Sequence, residues 1–305
     1  MSYPFQGTAI EPAYHILMSQ HVTENIEQEY EYVEWLSREE IASIPYSQFW
    51  TDEQRAEENN VASAAILSGD FGKMVEHLEK HGFIKHLKKA VSVIEDKYGI
   101  RVGGTCLDLG SGFCWTVPFL LKLSDGIEKI YCIEYSKHRL KVLCQKVLTH
   151  FKIPTSRVTL ILGNFNDIKF PDNSVDVCLL AAALHHADDP YQLLKEIKRV
   201  LKSYGVVIIL GEPIKDVFMR YTKHLVKYFV SNFPVRLQEK LFKRSFTVNK
   251  LIVPVSYLFS EDEVMGDHDY SHSEYLRMFS DTGFASVRVK DLSDHFQSFI
   301  LFNKA

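Results

Sequence analysis

Between Gly104 and the end of the chain, short apolar runs rich in β-branched residues alternate with longer stretches in which apolar positions recur every three or four residues. The runs are Thr105–Leu109, Lys129–Glu134, Val158–Leu162, Val175–Ala182 and Gly205–Gly211. Helical periodicity fills Trp115–Leu123, Lys137–His150 and Tyr191–Leu201. Apolar runs without strict alternation suit strands buried on both faces, and strands alternating with helices of this length predict parallel βαβ units. Ala285–Leu292 and Gln297–Asn303 read as two closing strands. They follow a helix that Ser271-His272-Ser273-Glu274 caps and that ends near Gly283.

The first hundred residues have another texture. Acidic polar stretches such as Thr23–Leu36 dominate, and Ser37–Glu40 and Thr51–Gln54 each place a capping hydroxyl three residues before Glu or Gln. From Phe71 to Tyr98, Met74, Leu78, Ile84, Leu87, Val91 and Ile94 keep helical spacing, with Gly82 as a break. Residues 1–100 are therefore expected to form a helical lid on a main domain of residues 101–305. A further segment, about 215–258, departs from the strand–helix rhythm and is expected to be a helical insertion. Arg220, Lys223 and Lys227 fall on one helical face of it and Phe218, Leu225 and Phe229 on the other, with Arg236, Lys240, Lys243, Arg244 and Lys250 beyond. Three readings stay open: a solvated lid face, a surface for an anionic substrate, or peripheral contact with an anionic membrane.

Composition narrows the classes. The 305 residues are 46% hydrophobic and carry a net charge of −4, enough apolar material for a large core and no bulk charge for nucleic acid. No basic flank followed by an apolar run opens the chain, and no apolar stretch is long enough to span a bilayer. The cysteines are 106, 114, 132, 144 and 178, an odd set without metal-ligand spacing. No disulfide framework and no metal site are expected, and the cytoplasm is the expected compartment.

The strand ends carry the candidate chemistry, because ligands of open parallel sheets bind outside the carboxyl ends of the strands. Leu107-Asp108-Leu109-Gly110-Ser111-Gly112 turns the first run into a helix. Its glycines let backbone approach a ligand, although a plain tight turn uses the same residues. Trp115 stands where the dinucleotide fingerprint requires its third glycine, which argues for a ligand without pyrophosphate. Glu134 ends the second run, with Tyr135 beside it. A carboxylate there can accept both hydroxyls of a ribose, or be an ordinary exposed acid. Asn164 and Phe165 follow the third run, an amide and a ring suited to adenine or to a turn with a core aromatic.

In this order the motifs resemble class I S-adenosylmethionine-dependent methyltransferases, in particular the small-molecule group with a Rossmann-like fold. The ungapped stretch GNFNDIKFPDNSVDVCLLAAALHHADDPYQLLKEIKRVLKSYGVVIIL carries most of the likeness, which extends over about 104–303. The resemblance implies a seven-stranded, mostly parallel sheet with helices on both faces and the last strand antiparallel. It places Asp108, Gly110 and Gly112 at the methionine end of the cofactor, Glu134 at the ribose, Asn164 and Phe165 at the adenine, and Ser111 and Tyr135 among the cofactor-binding residues. Ala181 or Ala182 would offer backbone contacts under the sulfonium. Cys114 replaces an expected glycine, Asn164 an acidic residue, and Ser203-Tyr204-Gly205 a Pro-Gly-Gly turn.

An activated sulfonium methyl asks the protein chiefly to align an acceptor and to take up a proton. His185 and His186 after the fourth run, and Glu212 after the fifth, are the candidate bases or substrate anchors, or simply loop-ordering residues. The spacing of Glu212, His268 and His186 requires no metal. The function expected is methyl transfer to a hydroxyl or amine of a small molecule (a sugar, lipid-linked compound or secondary metabolite). The alternatives are a protein or RNA methyltransferase and an inactive cofactor-binding regulator.

Overall fold

The structure is a computed structural model that describes residues 29–37, 39–40, 60–214, 225–226, 228–242, 268, 270–289 and 296–304. Its strands are β1 (Glu31–Glu34), β2 (Gly104–Leu109), β3 (Ile127–Glu134), β4 (Val158–Leu162), β5 (Val175–Ala181), β6 (Leu201–Pro213), β7 (Phe284–Val289) and β8 (Phe296–Asn303). They form one sheet in the order β1-β4-β3-β2-β5-β6-β8-β7, in which β8 pairs antiparallel with both neighbours and the other pairings are parallel. The chain builds outward from β2 through β3 to β4, then returns to the other side of β2 with β5. That reversal opens a crevice at the carboxyl ends of β2 and β5.

The helices are α1 (Val61–Ser68), α2 (Phe71–Lys80), α3 (Phe83–Ser92), α4 (Thr116–Leu123), α5 (Gln145–His150), α6 (Pro190–Val200), α7 (Val235–Phe242) and α8 (His272–Asp281). π-helical turns extend α3 through Val93–Lys97 and precede α5 at Arg139–Cys144. Side chains alternate across the pleat, as the period of two requires. Cys106, Cys132, Leu160, Val177, Leu179, Ile208 and Leu210 meet α1 to α5 on one face. Leu107, Leu109, Ile133, Ile161, Cys178, Leu180, Val207 and Ile209 meet α6 and α8 on the other. Both faces are covered, which is why these strands read as continuous apolar runs.

The sheet has eight strands, where seven were expected. The additional strand is β1, from an acidic stretch that reads as helical or irregular. Its acids are matched by residues distant in the chain. Thr159 Oγ1 donates to Glu31 at 2.6 Å, Lys129 Nζ lies 3.3 Å from Glu31, and Lys137 Nζ lies 2.7 Å from Glu34. Tyr30, just before the strand, is buried and donates its hydroxyl to the Ile153 carbonyl at 2.6 Å.

Local signals held where partners were close in sequence. Gly82 takes φ 78° between α2 and α3. Ser271 and Glu274 make a reciprocal capping box, and Ser37 and Glu40 exchange the same pair of bonds. The predicted cap at Thr51–Gln54 and most of the 215–258 segment lie outside the described residues.

Candidate active site

The loop after β2 is built around backbone that only glycine adopts freely. Gly110 and Gly112 have φ of 68° and 55°. A Cβ on Gly110 would lie 2.9 Å from the Ala183 Cβ, so the missing side chain lets this loop close against the end of β5. A Cβ on Gly112 would meet nothing within 4 Å, because that residue faces open space. The amides of Gly110 and Ser111 both donate to the Ile133 carbonyl, at 2.9 and 3.1 Å, tying the loop to β3.

Glu134 ends β3 directly beside this loop. Its Oε2 accepts the Gly112 N–H at 2.8 Å and its Oε1 accepts the Ser136 N–H at 3.1 Å. Burial pushes its pKa up, against the opposing pull of Arg139 and the two amides. Glu134 is 5% exposed, and that sliver opens on a cavity of about 280 Å³.

Gly110, Ser111, Gly112, Glu134, Tyr135, Phe165, Ala181, Ala182 and His186, all expected at the site, line this one cavity. Asp108, Asn164, His185 and Glu212 are not among its lining residues. Asp108 lies beneath the loop, 1% exposed, with Thr116 Oγ1 donating to its Oδ2 and no partner for its Oδ1 among the described residues. Burial pushes its carboxyl up to about 8. Asn164 is turned inward to make its own turn, accepting the Asn166 N–H at 2.8 Å. Asn166 takes its place on the wall, and its buried Oδ1 has no partner among the described residues.

Glu212 is completely buried and its carboxylate is committed to the β5 loop. Oε1 accepts the N–H groups of Ala183 and Leu184, each at 3.1 Å. Oε2 accepts the His185 N–H at 3.1 Å and lies 2.9 Å from His185 Nδ1 and 3.3 Å from the Tyr275 hydroxyl. Burial alone would raise its pKa, but His185 and these amides outweigh it and hold the carboxyl below its usual range. Expected as bases or substrate anchors, Glu212 and His185 instead brace the loop that presents Ala182, at φ 52°, and His186 to the cavity. The His185 and His186 ring centroids lie 4.2 Å apart at an interplanar angle of 37°, so the two imidazoles pack on each other.

Cys114 has φ 59°, the left-handed conformation that explains a glycine preference there. Its side chain does not narrow the cavity. It is buried, 2.8 Å from the Cys144 sulfur. The residues that sequence reasoning missed come mainly from the N-terminal helices: Asn60, Ser63, His77, Leu78 and Phe83 line the cavity, with Phe113, Trp115 and Asp188. Phe83 is centred 5.7 Å from the Trp115 ring and covers Gly211, where a Cβ would collide with it. Burial, with His81 and Lys80 nearby, holds His77 below the usual imidazole pKa. Among the described residues no cluster of His, Cys, Asp and Glu could hold a metal ion, and no helix is long and apolar enough to cross a membrane.

Residues 107–209, which run from within β2 into β6, match the family model described as a methyltransferase domain. The demethylmenaquinone methyltransferase of Geobacillus sp. (strain WCH70) is 27% identical over 228 residues, 72% of this chain and 88% of that protein. The demethylmenaquinone methyltransferase of Geobacillus stearothermophilus is 28% identical over 68% of this chain and 82% of its own. Among solved structures, a SAM-dependent methyltransferase from Aquifex aeolicus aligns with a TM-score of 0.45 at 20% identity, over 72% of this chain and 97% of that one.

Proposed function

We propose that this chain, a class I S-adenosylmethionine-dependent methyltransferase, acts on a small lipophilic acceptor that presents a hydroxyl or amine in the cavity above the glycine loop. The single observation that carries this reading is the make-up of that cavity. The loop and Glu134 line it together with the apolar and aromatic side chains of Leu78, Phe83, Phe113 and Trp115 and the polar ones of Asn60, Ser63, His77, His186 and Asp188. A wall of this kind suits an apolar body held by few polar contacts. The relatives named for demethylmenaquinone support an acceptor of that character.

The cofactor supplies a methyl group already activated on sulfur. The protein's part is to hold, orient and deprotonate. Each Glu134 oxygen accepts one backbone N–H and keeps a further lone pair, so the carboxylate can take two ribose hydroxyls without giving up the loop. Gly112 leaves room for the amino-acid tail, and the unpartnered Asp108 oxygen beneath favours a cationic group nearby. Phe165 and Tyr135 flank the adenine, with the Asn166 amide in the place expected of Asn164. Ala181, Ala182 and Ala183, small and at the strand end, leave space at the sulfonium. His186 faces the acceptor as proton acceptor, and residues 60–83 act as the lid.

Incubation with S-adenosylmethionine carrying a labelled methyl group and a cell extract tests this. Label is expected in the lipid-soluble fraction. Label confined to protein or RNA would establish a macromolecular acceptor instead, and tight cofactor binding without label in any fraction would indicate a regulator.

A further inference from the structure

After β6 the chain enters a segment whose composition differs from that of the rest of the sequence. Lysine and arginine occupy nine positions from Lys215 to Lys250, against two acids, Asp216 and Glu239, a net of +7 in a chain whose total is −4. In the described part of this segment five apolar side chains are turned outward. Phe229 is 61% exposed and Phe233 48%, with Val226, Val235 and Leu237 exposed beside them. The large exposed hydrophobic residues elsewhere in the described chain are scattered singly, at Val61, Tyr98, Tyr204 and Leu276. Scattered residues need no explanation, whereas five within twelve positions form a patch that wants a partner.

The segment is folded, so the patch is not simply loose chain. Val230 and Gln238 are buried, and the Gln238 amide donates to the Phe233 carbonyl at 2.7 Å, closing the turn before α7. Arg236 and Lys240 of α7 are exposed next to Phe233, Val235 and Leu237. The segment follows β6, which ends at Pro213, and beyond it the His268 N–H donates to the His185 carbonyl at 2.9 Å.

We propose that the exposed face of residues 228–242, with Arg236 and Lys240 on it, seats the protein on an anionic lipid bilayer. Exposed aromatic and aliphatic side chains enter the acyl boundary while lysine and arginine meet the headgroups, the composition that binds interfaces without spanning them. The positive charge of this one segment in an otherwise acidic chain selects a negatively charged surface over a second copy of the chain or an uncharged bilayer. The docking stands by itself; the further step, that it delivers the acceptor to the cavity, rests on the lipophilic-acceptor reading above.

Co-sedimentation of the full chain with vesicles is the test. With vesicles of equal parts phosphatidylglycerol and phosphatidylcholine the protein is expected in the pellet; with phosphatidylcholine alone, or at about 0.5 M salt, it stays in the supernatant. Phe229→Ser with Phe233→Ser should lower partitioning by about tenfold or more and leave cofactor affinity unchanged. Equal recovery in the supernatant with every vesicle overturns the proposal. So does a concentration-dependent dimer that the double variant abolishes, since a second copy would then cover the patch. Calorimetry with S-adenosylmethionine on the same sample separates the readings: intact cofactor binding without vesicle binding sinks the docking alone, and absent cofactor binding sinks the enzymatic reading.

Discussion

Glu134 Oε2 stands 2.8 Å from the Gly112 nitrogen, so the acid that ends β3 and the glycine loop that ends β2 form one wall. These residues are 22 positions apart, and the bond joins the two motifs on which the cofactor assignment depends.

Replacing this acid tests that assignment. Glu134→Ala should weaken S-adenosylmethionine binding by roughly 2–4 kcal/mol, because two charge-assisted hydrogen bonds to ribose disappear. Calorimetry reads the loss. Glu134→Gln, which keeps an acceptor for one amide, should fall between the two, and an unchanged affinity in both variants would move the ribose elsewhere.

The adjacent histidines should separate cleanly. His186→Ala is expected to retain cofactor affinity and lower turnover, since its ring faces the cavity. Loss of cofactor affinity would instead place that imidazole at the nucleoside. Glu212→Ala strands three buried N–H groups and the His185 partner, and should cost about 3–5 kcal/mol of stability in chemical denaturation. A variant as stable as the parent would contradict the bracing role.

Asp108 gives a pH dependence of defined sign. Its folded carboxyl is pushed up to about 8, above the ordinary unfolded value of about 4. Between those values the folded chain holds a proton that the unfolded chain has released, so this group's contribution to stability is lost as pH rises through that window. Asp108→Asn should therefore raise the melting temperature of the ligand-free protein at pH 8 more than at pH 5. On the proposed function it should also weaken cofactor binding. A pH-independent difference would place the charge in a better solvated site.

Tyr30→Phe removes the hydroxyl that reaches the Ile153 carbonyl and should cost about 1 kcal/mol in denaturant unfolding. Glu31→Ala, at an exposed ion pair, should cost less. The opposite ranking would show that the edge strand is held by charge, not by its buried neighbour.

The repeating strands and helices from Gly104 onward were legible because their signals are local: a period set by the backbone, glycines where φ must be positive, caps within one turn. The order of those strands located Gly110, Gly112 and Glu134 at one sheet edge, and the resemblance named what they hold. Strand β1 was not legible, since Glu31 and Glu34 look like solvated acids until Lys129, Lys137 and Thr159 are brought alongside. Nor could the sequence separate His185 from His186, or Asn164 from Asn166. Which of two neighbouring side chains faces the cavity depends on where Glu212 and the Asn166 amide stand in space. The part of the cavity wall that holds His77 and Phe83 exists only once the N-terminal helices pack over the carboxyl edge. Backbone period and glycine conformation are properties of a short window of chain. A cavity wall is made by packing between windows, and that is where the tertiary structure decides.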